Sequence, residues 1–296
     1  QQGRKEMLEK WIAEDKLEMS EQLGDFIMST GDANMAMPVY VKAAAHDKVI
    51  QCLVARGEFD KIVAYAAQTN YRCDYSFMLQ NLVRANPQSA LSFAQKLATS
   101  EGGALIDVNQ VVEIFMGQGR IEQTTAFLLE ALKGNKQEEG FLQTRLLEIN
   151  LLGGQPQVAD AIMSNNMFTF YDKTRVAQLC EKAGLHQRAL EHFTELDDIK
   201  RVVVNTHTIA PDFLISFFGT LTAENSLGCL DVLLGGNLRQ NLNLVVQIAT
   251  KYAEQIGATE LVELFEKFKS YDGLYYFLGS VVNFSQDATV HFKYIE

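Results

Sequence analysis

Apolar residues recur along this chain at helical spacing, interrupted at short intervals by single glycines, and almost no stretch alternates as a strand would. The clearest unit reads Val176-Ala177-Gln178-Leu179-Cys180-Glu181-Lys182-Ala183, then Gly184, then Leu185 to Leu196. Val176, Leu179, Cys180 and Ala183 make one stripe of a helix with 3.6 residues per turn. Gly184 stands where a helix end takes a left-handed residue. Leu185, Ala189, Phe193 and Leu196 predict a second helix beyond that stop. Two such helices cannot cover their own stripes, whereas stacked copies can.

The theme recurs. Ile50, Leu53 and Val54 lead to Gly57, and the next helix is expected from about Phe59 to Gln68. Asp107, with Gln110 three residues on, is a helix start able to satisfy two orphan amides. Val108, Val111, Val112 and Phe115 follow as a stripe ended by Gly119. Ile121, Thr125, Leu128 and Leu132 continue it on a partner helix. Leu261, Leu264, Phe265 and Phe268 share a face before a break expected at Asp272-Gly273. Pro38 falls inside the pattern from Asp32 to Ala45. A proline in a helix interior costs about 3 kcal/mol, so a kink or break is expected near Met35 to Met37.

Read this way, the chain holds roughly twenty short helices. The spacing predicts an all-α fold, an α-α superhelix (solenoid) of short antiparallel helix hairpins. No tetratricopeptide consensus appears, so the repeat is irregular. A stack of this kind is expected to have a radius of gyration near roughly 25–30 Å, against roughly 19 Å for a compact globule of this length.

Composition narrows the function. The 296 residues are 47% hydrophobic, enough for a continuous core, and carry a formal charge of −11. Lys200-Arg201 is a lone basic pair, and phosphate backbones need clustered cations, so nucleic acid is not an expected partner. The longest apolar run, Gly273 to Phe284, falls short of the roughly 20 residues of a membrane span, so direct membrane insertion is not expected. Cys52, Cys73, Cys180 and Cys229 are widely separated, and Cys52 and Cys180 fall on apolar stripes. They read as buried reduced thiols. The sequon Asn283-Phe284-Ser285 reads as chance. A start at Gln1 and an end at Glu296 inside a helical pattern, with no polar capping helix, read as a segment of a longer protein.

No constellation predicts chemistry. Cys180, His186 and His192 invite a metal reading, but their spacing lacks close ligand pairs and Gly184 breaks the helix between them. Gly117-Gln118-Gly119 follows a helix and lacks the remainder of a phosphate loop. It reads as a loose helix end, as do Gly102-Gly103, Gly153-Gly154 and Gly235-Gly236. The pairs Glu138-Glu139 and Asp197-Asp198 lie near helix termini, where acids complement the dipole. No G-x-S-x-G elbow occurs. Catalytic residues, cofactors and metals are therefore all expected to be none, and the interaction residues are unknown. His46, His207 and His291, with His186 and His192, read as ordinary surface or half-buried residues. Phe265, Phe268, Tyr271, Tyr275, Tyr276, Phe277, Phe284, Phe292 and Tyr294 crowd the last stretch; core and inter-helix packing is favoured over a partner groove.

Particular strings carry more than the period does. Ala177-Gln178-Leu179-Cys180-Glu181-Lys182-Ala183-Gly184-Leu185, followed by Gln187-Arg188-Ala189-Leu190-Glu191-His192-Phe193-Thr194, closely resembles the clathrin heavy-chain family. So do Asp47-Lys48-Val49-Ile50-Gln51-Cys52, Thr125-Ala126-Phe127-Leu128-Leu129-Glu130-Ala131-Leu132, Leu142-Gln143-Thr144-Arg145-Leu146-Leu147-Glu148 and Pro156-Gln157-Val158-Ala159-Asp160-Ala161-Ile162. A last long match runs from Leu274 through Val281-Val282-Asn283-Phe284-Ser285-Gln286-Asp287 to His291-Phe292-Lys293-Tyr294-Ile295. Pro38, Gly102-Gly103 and Gly153-Gly154 depart from the family's pattern and bear on local curvature.

The resemblance implies a leg segment near the ankle and the start of the distal leg. It implies N-terminal hairpins over 1–45, a first heavy-chain repeat over 46–192 and a second, truncated, over 193–296. It implies a scaffold for polygonal coats on the cytoplasmic face of coated pits and vesicles, with other heavy chains as partners. Light chains and adaptors would bind the parent chain outside this segment, and the isolated segment is expected to be monomeric. A helical scaffold of a vesicle-tethering complex is the alternative. An α-helical enzyme is a further rival and would need a pocket with perturbed acids or a metal.

Overall fold

The computed structural model describes residues 2–14, 16–100 and 103–295, with backbone alone at 2–6 and 9. The described residues form helices joined by turns and loops, with no strand among them. The chain divides into two compact units, residues 1–131 and 132–296.

The first unit holds α1 (Gln2–Ala13), α2 (Glu21–Ser29), α3 (Ala33–Lys42), α4 (His46–Ala55), α5 (Phe59–Thr69), α6 (Tyr75–Ala85), α7 (Pro87–Ala98), α8 (Val108–Met116) and α9 (Ile121–Ala131). The second begins with a 3-10 turn, Gln137–Glu139, and continues through α10 (Gly140–Leu152), α11 (Pro156–Ser164), α12 (Lys173–Lys182), α13 (His186–His192) and α14 (Leu196–Val203). It ends with α15 (Pro211–Phe218), α16 (Ala223–Lys251), α17 (Ala253–Ile256), α18 (Ala258–Lys267), α19 (Tyr271–Val281) and α20 (Ala288–Ile295).

In both units the principal helix contacts join helices one to three places apart in the chain, as α2 with α3, α7 with α9, α12 with α13 and α16 with α19. Each stripe is thus covered by sequence neighbours, which is the packing logic of an α-α solenoid. The buried faces match the expected ones. Val111, Val112 and Phe115 of α8 are buried, and so are Thr125 and Leu128 of α9 and Leu132 beyond it. Asp107 caps α8 by accepting hydrogen bonds from the Asn109 and Gln110 amides.

The glycine stops close in one way. Gly57, Gly119 and Gly184 hold φ of 69°, 64° and 78°. At Gly184 its own amide donates to the Glu181 carbonyl and the Leu185 amide donates to Cys180, the paired bonds of a Schellman end. Gly102 lies outside the described residues. Gly117, Gly119, Gly153 and Gly154 all stand at helix ends.

Three expectations change. The helix expected from Leu185 to Leu196 ends at His192, because Phe193 turns extended (φ −72°, ψ 137°) and drops into the core. The chain then reverses so that α13 and α14 pack on each other. The break expected at Asp272-Gly273 falls earlier, at Lys269, whose φ is 53°. Gly273 instead lies buried inside α19, where a Cβ would come within 2.7 Å of Leu242 and 2.9 Å of Phe265. Third, α3 runs unbroken through Pro38, with Asp32 capping it by accepting from the Met35 amide. Pro38 is the sixth residue of α3, beyond the first-turn amides that lack an intrahelical acceptor, so it removes one interior helical bond.

Candidate interaction surfaces

Among the aromatic residues of the last stretch, Phe265 and Phe277 are fully buried, their ring centroids 5.7 Å apart. The core reading fails for six of the others. Tyr294 is 48% exposed, and Tyr271, Tyr275, Tyr276, Phe284 and Phe292 are 63–83% exposed. The cause is helical phase. α19 buries Gly273, Leu274, Phe277, Leu278 and Val281, so Tyr271, Tyr275 and Tyr276 take the opposite face. Tyr275 and Tyr276 meet edge to face at 5.7 Å. Tyr294 of α20 lies beside the same face, with its ring 4.0 Å from where a Cβ of Gly279 would stand. α20 is held to α18 by a Lys293–Glu266 ion pair of 2.8 Å and by Thr259 donating to Asp287 at 2.8 Å.

Two apolar grooves lie between helices, one in each unit. One, of about 460 Å³ in the first unit, runs between α4 and α6 and is lined by Ile50, Val54, Phe77 and Met78, with Asp47 and Arg72 beside them. The Tyr71 hydroxyl donates to Asp47 at its edge. The other, of about 590 Å³ in the second unit, is lined by Phe193, Ile199, Phe213 and Phe217. The Phe213 and Phe217 rings stack at 6.0 Å. Both are open clefts with largely apolar linings.

The candidates for chemistry are drawn apart by their own partners. His186 Nδ1 lies 2.6 Å from the Thr208 hydroxyl, and His192 Nε2 lies 2.9 Å from the Tyr171 hydroxyl. Cys180 is buried, and burial pushes its thiol up to about 12; Cys229 is raised to about 11 by the same cause. Thiols held protonated in this way are poor nucleophiles and poor ligands. Among the described residues no three His, Cys, Asp or Glu side chains gather as a metal site. Glu139 accepts from the Lys136 amide at the 3-10 turn. Asp198, in the first turn of α14, pairs with Arg201 in its last turn at 2.8 Å. Both acidic pairs thus serve helix ends. Among the described residues no helix is long and apolar enough to cross a membrane.

Sequence reasoning did not find the two grooves. Their lining residues belong to apolar stripes, and nothing in a stripe says which of its members the next layer leaves uncovered.

Comparison with known proteins identifies relatives over the whole chain. A family described as "Region in Clathrin and VPS" matches residues 100–241. The clathrin heavy chain of Drosophila melanogaster is 56% identical over 295 residues, covering 100% of this chain and 17% of its own length. Clathrin heavy chain 2 of Homo sapiens is 55% identical over 296 residues, covering 100% of this chain and 18% of its own. The clathrin heavy chain of Dictyostelium discoideum is 50% identical over 296 residues, again covering all of this chain and 17% of its own. The chain therefore spans about a sixth of the length of these relatives.

Proposed function

The chain belongs to the clathrin heavy-chain family, and from that premise we propose that it is a leg segment that helps build polygonal coats on the cytoplasmic face of coated pits and vesicles. The observation that carries the reading is identity of 50–56% sustained over the whole chain across animal and amoebal relatives. The tethering-complex alternative draws on the breadth of the matched family's description alone, and the relatives' names do not favour it.

The packing fits such a role. Helices that cover one another only locally can be extended without a second core, and their stiffness comes from close-packed side chains. Other heavy chains are the partners, meeting along the leg through many weak contacts that become firm collectively. Light chains and adaptors bind the parent chain elsewhere. The segment acts mechanically rather than as an enzyme, its N-terminal hairpins span 1–45, and its repeats divide into 46–192 and 193–296. Alone it is monomeric, because each single contact is weak.

A chimeric heavy chain tests this directly. The segment replaces its counterpart in the Drosophila melanogaster clathrin heavy chain, and the product is assembled at low ionic strength and imaged by electron microscopy. Closed polygonal cages are expected. A chimera that is fully helical by circular dichroism yet forms no cages would overturn the proposal.

A further inference from the structure

We propose that Gly235-Gly236-Asn237 is a hinge within the second unit, on which the two halves of α16 turn relative to one another. The 29-residue α16 is two helical segments meeting at Asn237, whose φ of −154° and ψ of 86° leave the helical region. Three consecutive residues there, 235 to 237, are exposed, while Leu233 and Leu234 before them and Asn241 after them are buried.

The glycines are not required by shape. Neither has a positive φ. A Cβ at Gly235 would make ordinary contact with Phe268 at 3.5 Å, and one at Gly236 would meet nothing within 4 Å. Alanine fits both sites, and it is the better helix former because it restricts the backbone. What two adjacent glycines add here is backbone freedom, placed where the helix is already interrupted.

The break is pinned rather than loose. The buried Asn241 amide donates to the Leu233 carbonyl at 2.8 Å, and Thr206 donates to the Asn241 side chain at 3.0 Å. Asn237 caps the second segment by accepting from the Gln240 amide at 3.1 Å. Lys267 of α18 pairs with Asp231 of the first segment, both partners more than a third exposed, and such pairs hold weakly. A buried pin beside a flexible exposed backbone defines a pivot of limited range. It would let this unit adjust its curvature, which goes beyond the coat reading and does not depend on it.

The test is a distance distribution on the 296-residue chain. Spin labels go on Glu224→Cys and Gln247→Cys, one in each segment, with Cys73→Ser removing the part-exposed thiol. A broad distribution is expected, narrowing to about half its width in Gly235→Ala/Gly236→Ala, with amide exchange over residues 234–240 slowed about tenfold. Unchanged width and exchange overturn the hinge. So does a lower melting temperature in the double variant, since the glycines would then be needed for shape. If the double variant does not fold, Gly236→Ala alone decides: narrowing supports the hinge and an unchanged width overturns it.

Discussion

Lys269 carries a left-handed backbone, φ 53°, at the end of α18, and so do Ala44, Asn70 and Asn166 at other helix ends. Each closes with the bond pattern seen at Gly184, as when the Ser270 amide donates to Phe265. A non-glycine side chain there costs about 1–2 kcal/mol, partly returned because glycine has more freedom when unfolded. Lys269→Gly should therefore stabilise the chain by about 0.5–1 kcal/mol in urea unfolding. Gly24 is the opposite case. It is buried against Tyr40, and a Cβ would stand 2.2–2.8 Å from that ring. The ring is fully buried and its hydroxyl donates to Asp25 at 2.7 Å, so it has no room to yield. Gly24→Ala should cost about 1–3 kcal/mol. These residues also mark how far the sequence is legible. Glycine stops at 57, 119 and 184 announce themselves, whereas the stop at Lys269 does not, because nothing in a lysine signals a left-handed backbone. Protonation adds a further prediction at this scale. Burial lowers the imidazoles of His186 and His192 below their ordinary 6.5. The unfolded chain then binds protons more readily, so the stability these groups contribute is complete above about pH 6.5 and is lost as the pH falls toward their folded values. His192 faces the Tyr171 hydroxyl, with Glu191, Arg188 and Lys173 as its charged neighbours, and His186 faces Thr208 with His207 and Glu181 nearby. The melting temperature should drop between pH 7.5 and 5.5, and His186→Gln/His192→Gln should flatten that slope. An equal slope in the double variant would contradict the assignment.

At the scale of elements, α3 and α10 show tertiary packing overruling local preference. α3 tolerates Pro38 because Val39 and Tyr40 bury completely, and Ala36 with them. Pro38→Ala restores one amide without disturbing those contacts and should stabilise by about 1–3 kcal/mol, read from the denaturation midpoint. A loss of stability would mean that proline's fixed backbone is the larger effect. α10 has no single apolar face; Gln143, Thr144, Glu148 and Asn150 are buried along with Leu146, Leu147, Ile149 and Leu151. Its polar groups are matched by neighbours. Gln143 donates to Asn135 at 3.0 Å and accepts from the Phe170 amide at 2.9 Å, and Arg175 donates to Glu148 at 2.5 Å. Periodicity could not reveal this network, because its partners lie 8 to 27 residues away along the chain. The end of α13 at His192 was illegible for a related reason: no glycine or proline stands at 193–195, and only the packing of α14 back onto α13 decides the reversal. The exposed aromatic face of α19 was misread because the phase of its buried stripe is set by Gly273, which reads in sequence as a breaker and acts in the fold as a close-contact site.

At the scale of the whole molecule, the claim is that stability is assembled from neighbouring helices and does not radiate from one centre. The all-α class and the approximate helix number follow from periodicity alone, whereas the proposed coat role rests on the relatives. Short-range packing has a thermodynamic signature: in a serial array, damage weakens adjacent layers and spares remote ones. Phe93 lies in α7 of the first unit and Phe265 in α18 of the second, and both are fully buried. The decisive measurement is residue-resolved amide exchange of Phe93→Ala and Phe265→Ala against the parent chain. The expected loss is about 3–5 kcal/mol at each site. It should accelerate exchange in α5 to α9 for the first variant and in α16 to α20 for the second, leaving the other unit at parental rates. Equal acceleration across all twenty described helices in either variant would show a single cooperative core and contradict the account.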